Sequence, residues 1–126
     1  MNIEELSKRV EQLEFREGLI LENSEVSRIL LEYNITRDEY RQIQDVMEDM
    51  RNKIENGISV SSVEYETAIQ DIFGGFIVAS HRTPAIEYHF CEFIAKAFWE
   101  DGCWKEVFQT LYGDNMKYKH LFENEN

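Results

Sequence analysis

The sequence predicts an all-α fold, and three observations carry that expectation. Apolar residues recur at alternating steps of three and four, at Ile3, Leu6, Val10 and Leu13 and again at Tyr40, Ile43, Met47, Met50 and Ile54, so each set forms one narrow helical stripe. One proline and six glycines interrupt 126 residues, too few for a many-turned β-sandwich. Helix-start chemistry recurs: Thr36 with Glu39 and Ser61 with Glu64 both have capping-box spacing, in which hydroxyl and carboxylate each satisfy a free backbone amide.

The first helix is expected from Asn2 or Ile3 to near Leu21. Its stripe runs on to Ile20, but the intervening step falls on Glu17 and Gly18 follows, which weakens the seam or marks a bend. Four residues over one and a half heptads do not make a solitary coiled coil, so the stripe must pack on something. Asn23 and Ser24 offer caps for a short second helix that buries Val26, Ile29, Leu30 and Tyr33, and Asn34 suits a left-handed terminus. The third helix spans Arg37 to about Glu55 and stops at Asn56-Gly57. Residues 58–61 alternate like a strand but have none to pair with, and read as an extended linker. A fourth, central helix carries Tyr65, Ala68, Ile69, Ile72, Phe73, Phe76 and Ile77, with Gly74-Gly75 permitting a close approach or a kink. Thr83-Pro84 opens a fifth, since proline at the first helical position gives up no needed hydrogen bond. It presents Ile86, Phe90, Phe93, Ile94, Ala97 and Phe98. A sixth carries Trp104, Val107, Phe108, Leu111 and Tyr112. The expectation is a single helical domain over 1–126, compact, with about five or six helices and residues 114–126 weakly docked or frayed.

Formal charge is −12, spread evenly: residues 1–57 hold fourteen acids and eight bases, residues 58–126 eleven and five. A surface of that sign repels phosphate backbones and anionic lipid, arguing against direct nucleic-acid or membrane binding. Val26–Tyr33, a short turn and the next helix have helix-turn-helix spacing. Beside Arg37, Arg41 and Gln42, however, that recognition helix would press Asp38, Glu39, Asp45, Glu48 and Asp49 towards phosphates. Cys91 and Cys103 lack CxxC spacing and suggest reduced thiols. The charged N-terminus is unlike a secretory signal, and the longest apolar patch, Ile72 to Ala79, is far too short to span a bilayer. The expected location is cytoplasmic.

Catalytic and metal-binding patterns are sparse. The three histidines, His81, His89 and His120, form no HExxH, and none has a glutamate three residues before it. His89 with Glu92 can share a helix face, but two ligands do not make a site. His89 and Cys91 point about 200° apart around a helix. Cys103 lies near a helix start, which lowers a thiol pKa, yet Glu100 and Asp101 push the other way. No enzyme, cofactor or metal site is expected. Large aromatic residues are in surplus, and Phe98, Trp99 and Trp104 cluster at one turn, a place for a subunit or partner contact.

In VEQLEFREGLIL, in the capped NITRDEYRQIQDVMEDM helix and most plainly in FWEDGCWKEVFQTLY, the chain resembles the YhaI-like small proteins of low-GC Gram-positive bacteria, a domain of unknown function. The resemblance covers most of the chain in order. It implies a compact helical fold, assembled as an intertwined homo-oligomer through long helices, and supplies no catalytic residues. Taken together, the expectation is an uncharacterised acidic cytosolic interaction or regulatory module. Its partners would be itself and an unidentified protein, and its candidate interface Ile3, Leu6, Val10, Leu13, Phe98, Trp99 and Trp104. The alternative is an acidic inhibitor that imitates nucleic acid on a DNA-processing or defence protein.

Overall fold

A computed structural model describes residues 2–123. Over these the chain forms eight α-helices and no strand: α1 (Ile3–Glu22), α2 (Glu25–Glu32), α3 (Arg37–Glu55), α4 (Ser62–Ile72), α5 (Phe76–Ser80), α6 (Tyr88–Glu100), α7 (Lys105–Tyr112) and α8 (Lys119–Glu123). None of these helices is long and apolar enough to cross a membrane.

Caps set most of the boundaries. Asn2 accepts from the Glu5 amide at 2.8 Å and opens α1. That helix continues unbroken through Gly18 and ends where Asn23 turns left-handed at φ 51°. Ser24 caps α2 through the Ser27 amide. Asn34 takes the left-handed turn the sequence suggests, at φ 53°. The Thr36 box forms in both directions, with the Thr36 amide donating to Glu39 at 2.9 Å and the Glu39 amide to Thr36 Oγ1 at 3.2 Å. The second box forms by half. Ser61 accepts from the Glu64 amide, while the Glu64 carboxylate turns to Lys53 at 3.0 Å.

Two expectations are corrected here. The fourth helix is not one element: Gly74 and Gly75 both sit at φ 95°, which L side chains avoid, and split it into α4 and α5. Phe76 and Ile77, expected in the core, are exposed as a result, and Ala79 alone of α5 is buried. Nor does Pro84 open a helix. Residues 81–87 form a turn that plants Ile86 in the core, its amide donating to Ala79 O at 2.9 Å, and α6 begins only at Tyr88.

The third-helix stripe behaves as core, with Ile43, Met47 and Met50 buried against α4 and α7. The central helix is α6 rather than α4. It packs on α2, α4 and α7 and buries Phe90, Cys91, Ile94, Ala95, Ala97 and Phe98. The C-terminal segment docks through a few aromatic residues, while α8 itself buries none of its residues. Tyr118 is buried against Phe108, and Phe122 meets Trp99 at 5.4 Å and Phe108 at 5.8 Å. The last three residues of the expected frayed ENEN end lie outside the described residues.

Candidate interaction surface

Helix α1 has two apolar faces, and only one touches the rest of the chain. Gln12, Phe15, Arg16 and Leu19 form the docked face. Leu19 is buried, Phe15 lies 6.2 Å from the Tyr40 ring, Gln12 Nε2 donates to Ile35 O, and Arg16 donates to Leu31 O and to Asn34. At 100° per residue the stripe of Ile3, Leu6, Val10 and Leu13 points about 150° away from this face. It is open: Ile3 is 87%, Leu6 53%, Val10 44% and Leu13 66% exposed. Every residue from Asn2 to Glu11 is exposed, with Lys8 and Glu11 bordering a pocket shared with Thr36, Arg37 and Asp38 at the start of α3. Ile20 and Leu21 extend the exposed apolar surface beyond Glu17.

The aromatic residues proposed for contact are placed differently. Phe98 is 2% exposed, stacked on Tyr40 and edge-on to Trp104, so it belongs to the core of its own chain. Trp99 is half-buried beneath Phe122 and Phe108. Trp104 is half-buried too, at φ 45°, with its indole N–H donating to Glu48 at 3.0 Å. Adjacent Phe98 and Trp99 do carry bulk in two directions, but α3, α7 and α8 already cover both. Phe98 is therefore corrected to core packing, while Trp99 and Trp104 pack within the chain and keep part of their surface open.

Sequence reasoning missed a second exposed patch, Phe76, Ile77 and Val78 on α5. It borders a shallow groove lined by Glu39, Ile72, Phe73, His81 and Arg82. Arg82 is the fixed point of that groove: it holds Glu39 through two contacts, donates to Asn34 O, and lies 4.8 Å over the Phe73 ring. Burial pulls the Glu39 carboxyl upward, but hydrogen bonds from Arg82 and Thr36 outweigh it and hold the pKa below its ordinary value. The signal for this patch was Gly74-Gly75, whose left-handed turns break the helix and turn the apolar run outward.

A buried polar cluster lies at the junction of α4, α6 and α7. Glu92 is buried and accepts from the Tyr118 hydroxyl at 3.0 Å and Lys117 at 3.2 Å. Burial, reinforced by Glu92, raises the Glu66 carboxyl above its ordinary range. Neither Glu66 Oε2 nor the Tyr112 hydroxyl completes a hydrogen bond among the described residues. Burial and then hydrogen bonding to Glu92 push Tyr118 up to about 12, and burial drives the Cys91 thiol up, which disfavours a nucleophilic thiolate. His89 and Glu92 do not share an environment: His89 is exposed beside Tyr88 and Phe93, and Glu92 faces inward. No three His, Cys, Asp or Glu side chains converge in a metal-holding group among the described residues. Cys103 is exposed, its amide donating to Phe98 O at 2.8 Å.

No protein-family model matches this chain, and no curated protein or solved structure matches it either.

Proposed function

We propose that this chain is a non-catalytic cytoplasmic protein that acts through protein contacts and assembles with copies of itself through the outward face of α1. The observation that carries the reading is the position of that face. Ile3, Leu6, Val10 and Leu13 keep helix-pairing spacing and point to solvent, while a separate set of residues anchors the same helix to the body. Exposed apolar surface of this regularity costs solubility unless a partner covers it. Kinship with the YhaI-like proteins belongs to the same proposal and rests on the sequence patterns.

The acidic surface favours this reading over nucleic-acid mimicry. Acids are scattered through every helix except α5. Several hold basic partners in their own chain, among them Glu25 with Arg28, Glu39 with Arg82, Glu64 with Lys53 and Glu100 with Lys96. The test is the double substitution Leu6→Asp and Val10→Asp. Both positions are exposed, so the helical circular-dichroism spectrum is expected to persist while the solution mass falls to that of one chain. An oligomer that survives both changes removes α1 as the assembly surface.

A further inference from the structure

The α1 seam encodes more than stickiness, because its heptad positions are differentiated. With Ile3 at a, Leu6 falls at d, Val10 at a and Leu13 at d. β-branched residues at a with leucine at d is the combination that favours two parallel strands. The flanking positions carry opposite charge: Arg9 falls at g and Glu14 at e. Both are exposed, and neither enters the ion pairs formed by the described residues. The chain's own contacts use mainly the outer positions, with Gln12 and Leu19 at c and Phe15 at f, and beyond Leu13 also Arg16 at g.

We propose that α1 pairs with α1 of a second copy as a short, parallel, in-register two-stranded coiled coil, with Arg9 of each chain against Glu14 of the other. This rests on the self-association proposed above and adds its geometry. In parallel register a g residue reaches the e residue five positions on in the partner, so the two-fold axis generates two Arg9–Glu14 pairs. The antiparallel arrangement that sets Ile3 against Leu13 brings Arg9 against Arg9 instead. Outer positions c and f point away from the partner helix, and Arg16, the g residue that the body holds, lies past Leu13, the last residue of the seam. Glu17 at the next a position faces its own copy and ends the pairing after Leu13. A seam this short does not nucleate from free peptides. Here Phe15 and Leu19 hold the helix already formed, which removes most of its ordering cost.

Three measurements test this on the full chain in a Cys103→Ser background. Sedimentation equilibrium is expected to show a monomer–dimer equilibrium. A chain that stays monomeric overturns both the assembly and its geometry, and a trimer overturns the strand number. Leu13→Cys is expected to form a disulfide-linked dimer rapidly under mild oxidation, because in parallel register the two Leu13 positions are adjacent. Antiparallel pairing separates them by about 15 Å along the axis, beyond the reach of a disulfide. A sedimenting dimer that does not cross-link at Leu13 overturns the parallel register alone. Arg9→Glu is expected to weaken the dimer roughly three- to tenfold, and the double swap Arg9→Glu with Glu14→Arg to restore it. Tightening by Arg9→Gln, which relieves Arg9–Arg9 repulsion without creating another like-charged pair, is the antiparallel result.

Discussion

Helices α1 and α3 carry apolar stripes of the same spacing and meet opposite fates. The α3 stripe is sealed inside the chain, with Ile43 and Met47 fully buried, whereas the α1 stripe faces solvent along its length. Periodicity reports which side of a helix is apolar, and it is silent on what covers that side. The difference lies in the neighbours. Helix α3 is followed after a short linker by α4, which folds back on it, and α7 closes the other flank. Helix α1 has α2 as its one substantial neighbour, and it anchors through buried Leu19 and through Phe15, whose ring meets Tyr40 of α3. Those two residues are one helical turn apart on a face that the heptad pattern does not include.

The contrast can be broken most forcefully in the core. Met47→Ala is expected to cost about 2–5 kcal/mol in urea unfolding, because it leaves a cavity where α3 meets its neighbours. Leu6→Ala is expected to stay within about 0.5 kcal/mol for the monomer, as surface substitutions do. Comparable losses at the two sites would mean that the α1 stripe is covered within its own chain. Leu19→Ala, also expected to cost about 2–5 kcal/mol, sharpens the comparison by loosening α1 from the body. It should raise amide exchange along α1 and leave α3 protected.

A smaller effect is expected at Asp101. Its carboxylate accepts from the Glu25 and Val26 amides at 3.1 and 2.9 Å, so the end of α6 caps the start of α2. Asp101→Ala removes that cap, at about 1 kcal/mol, measurable as a lower urea midpoint at unchanged slope.

The smallest effects are pH-dependent and opposite in sign for two glutamates. Glu39 has a lowered pKa, so its pairing with Arg82 contributes above the ordinary glutamate range and is lost as pH falls through the lowered value. Glu39→Gln should therefore destabilise at neutral pH and converge with the parent in acid. Glu66 has a raised pKa, so its charged form is the penalised one, and the parent recovers stability as pH falls through the raised value. Glu66→Gln should stabilise at neutral pH and converge below the ordinary glutamate range. Parallel curves for the two variants would contradict these environments.

Much of the helical layout was legible because it is local chemistry. The Thr36 box, the Asn34 turn and the Asn56-Gly57 stop concern residues within a few positions of one another, and each appears where the sequence puts it. What misled were signals with two local solutions. Pro84 is compatible with a helix start and with a turn, and the burial of Ile86 selects the turn. Gly74-Gly75 permits a kink or a break, and the outward turn of Phe76, Ile77 and Val78 goes with the break. The Glu66–Glu92–Tyr118 cluster had no sequence signature, because its members come from separate elements and meet only through packing.

By itself the sequence determined that the chain is helical, where most helices begin and end, and which side of each is apolar, since hydrogen bonding within a few residues and a fixed helical pitch decide those matters. Only the tertiary structure decided which apolar faces are spent on the chain's own core. That choice depends on which helices come to lie side by side, and it left the first stripe of the sequence open to solvent.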